Sequence, residues 1–317
     1  MKSIPVLIDT DPAIGIFRAD VDDGLAILLA LNSEKIEVDG ITAVYGNTNV
    51  NNTYRIAKEL LEVAKHTDIP VYKGAYNATW LGVRTPAVQF LIDHIMEHPG
   101  EITLITLAPL TNVATAFLLE PKLAENLKAL LMMGGYFFPS NFKIPFLRAE
   151  FNFSRDTQAT KIILNQDVDT TIVGIDVTTQ VKFRDAHYAA LQLANTPITD
   201  YLTKHIKFWL MLNKIVMGGF NPHDPICVAY LIQKSLFKYV KASVDVFVAK
   251  PKEKPEHVHK HYPTNLLQFI PSLFTRDGQL TTTIPPSDPR TNKIKVCTRV
   301  NEKAFLQLLI SELSKKF

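Results

Sequence analysis

The sequence predicts an α/β fold: an open, mostly parallel sheet flanked by helices on both faces. Short apolar runs alternate with amphipathic stretches from residue 4 to about residue 180. That alternation calls for crossover helices between parallel strands. Apolar residues make up 47% of the chain, enough for a sizeable buried core and too many for a disordered polymer. Neither an internal repeat nor a long linker interrupts the pattern, so residues 1–317 are expected to form a single domain with a helical and short-strand C-terminal elaboration.

Residues 4–8 read as a buried strand, and residues 22–31 as a helix with Leu25, Leu28 and Leu29 on one face. Residues 36–45 follow as a strand, 52–64 as a helix and 69–72 as a short strand. Val88, Leu91, Ile92, Ile95 and Met96 mark the next helix. Residues 102–107 and 127–133 read as strands around a helix at 111–119, and 171–175 as one more strand. Beyond residue 180, helical sequence dominates at 183–216 and 225–232. Strand-like segments return at 243–249 and 294–300, around a polar, Pro-rich stretch at 250–263. Phe305, Leu308, Leu309 and Leu313 mark a closing helix. In such folds ligands collect at the carboxyl ends of the strands. The first strand ends in Asp9 and Asp11, the second near Asn47, a central one at Leu107 and a later one near Asp176.

Composition excludes several functions. With 34 basic and 31 acidic residues the charge is too balanced to suggest a nucleic-acid partner. No run approaches the 18 or so apolar residues of a membrane span, and the first residues lack the long apolar stretch of a secretory signal. Cys227 and Cys297 lie far apart and form no CxxC pair, so a reducing cytoplasm is the expected location.

The strongest chemical signal is Asp9-Thr-Asp11 at a strand end, followed by Asp20-Val-Asp22-Asp23 opening a helix. Carboxylates crowded at one sheet edge repel one another, and a hard divalent cation offsets that repulsion. Asp22 and Asp23 also suit a plain helix N-terminus, a reading not open to Asp9 and Asp11. His223-Asp224-Pro225 starts a helical run, where it reads as a site or as an ordinary loop before a proline-led helix. Glu150-Phe-Asn152-Phe, with Asp156 beyond it, reads as a pocket lining or an amphipathic strand. Alternating His257, His259 and His261 offer a weaker metal-binding pattern.

Taken in order, IDTDPA at 8–13, DDGLAILLAL at 22–31, ITAVYGN at 41–47, LAPLTNVA at 107–114, LMMGGY at 131–136, EFNFSRD at 150–156 and HDP at 223–225 resemble the inosine–uridine nucleoside hydrolase family. The resemblance implies an open α/β sheet and hydrolysis of the bond between a base and its ribose. It also implies a Ca²⁺ ion held by Asp11, Asp23, Asp224 and the backbone carbonyl of Leu107. Asp11 is then the expected base for the attacking water. Asp22, Asn47, Glu150 and Asn152 are expected around the ribose, with Met133 in the matching strand-end segment. His223 matches the position credited with protonating the leaving base, for which a near-neutral imidazole suits. The partner is thus a small nucleoside, with no nucleic acid or membrane, and homo-oligomers are common in the family.

Two features depart from the family pattern. Residues 13–21 contain an insertion between the proline and the paired aspartates. It is expected to loop out beside the metal site and leave Asp22 and Asp23 in register; Asp20 would substitute if it did not. Its Gly15, Phe17 and Arg18 suit a flap. The loop after the third strand lacks the family's histidine and offers Trp80, either as a stacking partner for a base or as a Trp under a surface loop. Trp209, in a helical stretch, reads as core. The Asp-x-Asp opening also suits a haloacid-dehalogenase-type phosphatase, and a non-catalytic nucleoside- or ribose-binding protein would keep the same ligands.

Overall fold

Strand β1 (Ile4–Thr10) is apolar until it reaches Asp9, and its buried Val6, Leu7 and Ile8 suit a strand covered on both faces. It lies inside an eight-stranded sheet made with β2 (Ile36–Ala43), β3 (Val71–Lys73), β4 (Thr103–Thr106), β5 (Ala129–Met133), β6 (Thr170–Val173), β7 (Phe237–Ala242) and β10 (Ile294–Val300). A separate antiparallel pair joins β8 (Asp245–Val248) to β9 (Thr281–Ile284). These elements come from a computed structural model that describes residues 3–17, 19–137, 150–248, 281–284 and 294–315. The main sheet runs β3-β2-β1-β4-β5-β6-β10-β7, parallel throughout except for the β10–β7 pair. The predicted architecture holds.

One core cluster joins residues of β1 and β2 to the helices Asp22–Leu31, Val50–Val63, His223–Ile232 and Glu302–Leu313. A second gathers Leu7, Leu104, Leu130 and Ile172 with the helices Pro86–Glu97, Thr111–Leu119 and Thr157–Leu164. The sheet is therefore covered on both sides. Helix Asp22–Leu31 is buried around its whole circumference, not only on the face of Leu25, Leu28 and Leu29. It contacts three of those helices as well as β2, the setting of a helix apolar on every side. Leu28 is fully buried there. Leu28→Ala is expected to cost about 3 kcal/mol of unfolding free energy, read from urea denaturation; a loss below about 1 kcal/mol would contradict this close packing.

Several boundaries differ from the sequence expectation, each for a local reason. The helix expected at 52–64 starts earlier, at Val50, because the Asn49 side chain accepts hydrogen bonds from the backbone N–H groups of Asn51 and Asn52. The stretch at 183–216 is two helices, Asp185–Ala194 and Pro197–Met217. Asn195 ends the first in the left-handed region at φ 48°, and Thr196 caps the second ahead of Pro197. The expected strand at 171–175 closes at Val173, and Asp176 belongs to a helical turn, Ile175–Thr178. Glu150 to Phe153 form no strand: Glu150 caps the short helix Phe151–Arg155. Arg18 and the residues of the His257, His259, His261 cluster lie outside the described residues. No described helix is long and apolar enough to cross a membrane.

Candidate functional site

From β1 the chain steps outward through β2 to β3, then returns to β4 on the other side and proceeds to β6. This reversal between β1 and β4 opens a crevice at their carboxyl ends, the usual ligand site of doubly wound sheets. Asp9 and Asp11 come at the end of β1, Leu107 directly after β4, and Met133 at the end of β5.

The acidic motifs converge there. Asp22 and Asp23 form the first turn of their helix, Asp224 is the second residue of helix His223–Ile232, and the two helices pack together. Carboxylate oxygens of Asp22, Asp23 and Asp224 lie within 4.8 Å of one another, and all three residues are buried. The insertion thus leaves Asp23 facing Asp224. Asp23 Oδ1 accepts hydrogen bonds from the Thr10 hydroxyl and from the Asp11 N–H, and its Oδ2 accepts from Asn47 Nδ2 at 2.9 Å. Asp11 Oδ2 accepts from the Asn47 N–H at 2.6 Å. Gly46 permits that approach, since a Cβ there would lie 1.7 Å from the same oxygen.

Burial, reinforced by neighbouring carboxylates, holds Asp11, Asp22 and Asp224 well above the usual carboxylate range. For Asp11 the chief neighbour is Asp23, for Asp22 it is Asp20, and for Asp224 it is Asp22. Burial raises Asp23 to about 6 and Asp9 to about 7, against hydrogen bonds that favour their ionised forms. Among the described residues, the buried Asp11 Oδ1 has no hydrogen-bond partner. An unpartnered buried carboxylate oxygen is costly, and a cation removes both that cost and the mutual repulsion. The donors are all oxygens, the preference of a hard divalent ion. The residues present therefore fit a metal ion.

Amides and backbone groups build the remaining walls. Asn152 Nδ2 donates to the carbonyls of Leu107 at 2.9 Å and Met133 at 3.2 Å, tying the ends of β4 and β5 together. The Leu107 carbonyl keeps a second lone pair for another partner. Glu150 accepts from the N–H groups of Gly135, Asn152 and Phe153 at 2.6–2.9 Å, which fixes its carboxylate; burial still raises its pKa. Asp9 accepts from Thr42 and Asn112 and serves as a brace below the site.

His223, one residue before Asp224 on the same helix, also lines the cavity. Its Nδ1 lies 2.6 Å from the Thr178 hydroxyl. Desolvation, aided by the Lys182 charge, lowers its pKa to about 4. The near-neutral imidazole expected from the sequence is therefore corrected: at physiological pH this ring is firmly uncharged.

These groups surround a cavity of about 270 Å³, lined by Asp22, Asn47, Leu107, Met133, Glu150, Asn152, His223 and Asp224. Asp20, Trp209, Asn213, Phe220 and Asn221 line it too. Trp209, read as core, thus reaches the cavity while its ring also packs on the core. Trp209, Asn213 and Met217 recur every fourth residue and share one helix face; a polar Asn interrupting an apolar stripe was the available signal. Trp80 is placed elsewhere. It packs by Val44, Ala75 and Ala108 and against the Tyr76 ring at 4.7 Å, away from the cavity lining. Stacking on a ligand by Trp80 does not follow from this position.

Strand order and crevice define the class: a doubly wound α/β protein with a buried, all-oxygen acidic centre suited to a metal ion. The family model for inosine-uridine preferring nucleoside hydrolases matches residues 6–307. Uridine nucleosidase 1 of Arabidopsis thaliana is 31% identical over 276 residues, covering 77% of this chain and 79% of the relative. The inosine-uridine preferring nucleoside hydrolase of Crithidia fasciculata is 29% identical over 309 residues, covering 82% and 92%. A solved plant nucleoside hydrolase superposes with a TM-score of 0.78 at 26% identity, over 99% of both chains. The chain belongs to the nucleoside hydrolase family and is a hydrolase acting on N-glycosyl bonds.

Proposed function

We propose that this protein hydrolyses the N-glycosidic bond of ribonucleosides to ribose and free base, using a water molecule deprotonated by Asp11 at a calcium centre. The observations that carry this reading are the buried group of Asp22, Asp23 and Asp224 at a cavity lined by amides and a histidine, and next to it the buried Asp11, whose Oδ1 has no hydrogen-bond partner among the described residues. Asp11, Asp23, Asp224 and the Leu107 carbonyl would hold the ion. When bound, Ca²⁺ supplies positive charge that keeps these carboxylates ionised and orients water and ribose hydroxyls.

The protein groups do the rest. Asp22, Asn47, Glu150 and Asn152 hold the ribose through its hydroxyls, Glu150 pre-set by its three N–H contacts. Asp11 takes the proton from water as its oxygen attacks the anomeric carbon. As the base departs the sugar gains oxocarbenium character, and the surrounding carboxylates stabilise that charge. His223, uncharged at rest, donates an N–H to the departing base, with Thr178 fixing its ring.

Release of reducing sugar from inosine and from uridine, by the calcium-loaded protein, tests the proposal. Ribose is expected in step with free base. Binding of both nucleosides with no ribose released would make the protein a non-catalytic receptor. A phosphoryl-enzyme formed on Asp9 would instead favour phosphatase chemistry.

A further inference from the structure

Within the insertion, residues 13–17 and 19–21 run beside the cavity wall, Phe17 largely exposed. Ile14 is buried, Ile16 packs against the core, and the turn closes with hydrogen bonds from Ile16 N to Ala13 O at 3.0 Å and from Ala19 N to Ile16 O at 3.1 Å. The Phe17 ring stacks on Phe208, with centroids 5.3 Å apart and an interplanar angle of 27°. Gly15, at φ +88°, passes so close to helix Pro197–Met217 that a Cβ would lie 3.2 Å from His205 Nδ1. This is the helix whose Trp209, Asn213 and Met217 line the cavity. The insertion ends by delivering Asp20, half-buried, into the same lining. Asp20 Oδ1 is anchored by the Val21 N–H at 2.7 Å.

We infer that the insertion is a clamp that adds Asp20 to the nucleoside-binding groups of the cavity, with Phe17 acting as a positioning residue through its stack on Phe208. Asp20 lines the cavity beside the acids grouped at Asp22, Asp23 and Asp224, and its carboxylate is offered to the ligand. A carboxylate there is an acceptor only, and it recognises an O–H or N–H of an uncharged nucleoside. A hydrogen bond to an ionised group is worth about tenfold or more in affinity. Phe17 acts at a distance: its stack fixes the insertion on the helix, and the fixed insertion holds Asp20 in place. Loss of the stack therefore weakens ligand binding only through Asp20.

The inference rests on the cavity being a nucleoside site, and the experiment separates the two. Full-length, calcium-loaded protein is titrated calorimetrically with formycin B and with pseudouridine, nucleosides whose carbon–carbon ribosyl bond resists hydrolysis. Asp20→Asn is expected to weaken binding of the tighter ligand about tenfold and to leave calcium affinity unchanged. Phe17→Ala is expected to weaken it about fivefold, Phe17→Leu to restore most of that, and the double variant to bind no worse than Asp20→Asn alone. Unchanged affinity in Asp20→Asn overturns the inference, as does loss of calcium from that variant. So does a Phe17→Ala variant that melts earlier but binds normally. Binding of neither nucleoside by the unaltered protein overturns the underlying reading of the cavity as well. Asp20-dependent binding without ribose release from inosine or uridine upholds the inference and removes only the reaction.

Discussion

Asp224→Asn is expected to abolish calcium binding and nucleoside hydrolysis together while making the ion-free protein more stable. Carboxylate oxygens of three of the buried acids lie within 4.8 Å of one another, and burial, then Asp22 and Asp23, raise Asp224. Asn keeps the shape but removes the charge that attracts the ion. Activity should fall by about a thousandfold or more, in a ribose-release assay run beside calcium titration calorimetry. Stability moves the other way. A carboxyl group whose pKa is raised by folding stabilises the fold below its unfolded value, and that stability is lost as pH rises toward its folded one. At pH 8, without metal, the unaltered chain therefore carries a larger penalty than at pH 5. The Asn variant carries less of it, so its melting temperature should fall less between those conditions. Full activity of the unaltered protein in excess chelator would sink the metal assignment.

His223→Ala should separate substrates by leaving group. Hydrolysis of inosine or uridine is expected to slow by about 10²–10³, because the departing base loses its hydrogen-bond donor. A ribosyl compound with a nitrophenolate leaving group needs no proton and should slow by less than about threefold. Equal slowing of both would remove His223 from this role. Since the ring titrates near pH 4, its charge is constant from pH 6 to 8, and no rate change near pH 6.5 should trace to it.

The sheet and the acidic motifs were legible because they depend on local sequence. Buried parallel strands must be apolar along their length, so β1, β4 and β5 announce themselves, and Asp9 and Asp11 stand out against that background. The helix Asp22–Leu31 was legible to the residue. What could not be read was set by tertiary contact. Glu150 looks like part of a strand until its carboxylate is seen to cap a helix. His223 looks near-neutral until the cavity walls desolvate it. Trp209 reaches the cavity as well as the core because an amphipathic pattern does not say whether an aromatic faces a core or a crevice. β7 went unread because four consecutive residues of this edge strand are exposed.

The position of β10 has a bearing on how the chain is made. Every group assigned to the cavity lies at or before Asp224, yet among the described residues β6 gains its outer neighbour from residues 294–300, and β7 joins the sheet through them. On the ribosome, the half of the sheet that bears the acids emerges long before this late strand does. Until then β6 presents a row of unpaired N–H and C=O groups, the kind of edge that recruits foreign strands. Synthesis that stalls before residue 294 should therefore yield an aggregation-prone chain and not a smaller enzyme, even though none of the chemistry had yet to be translated.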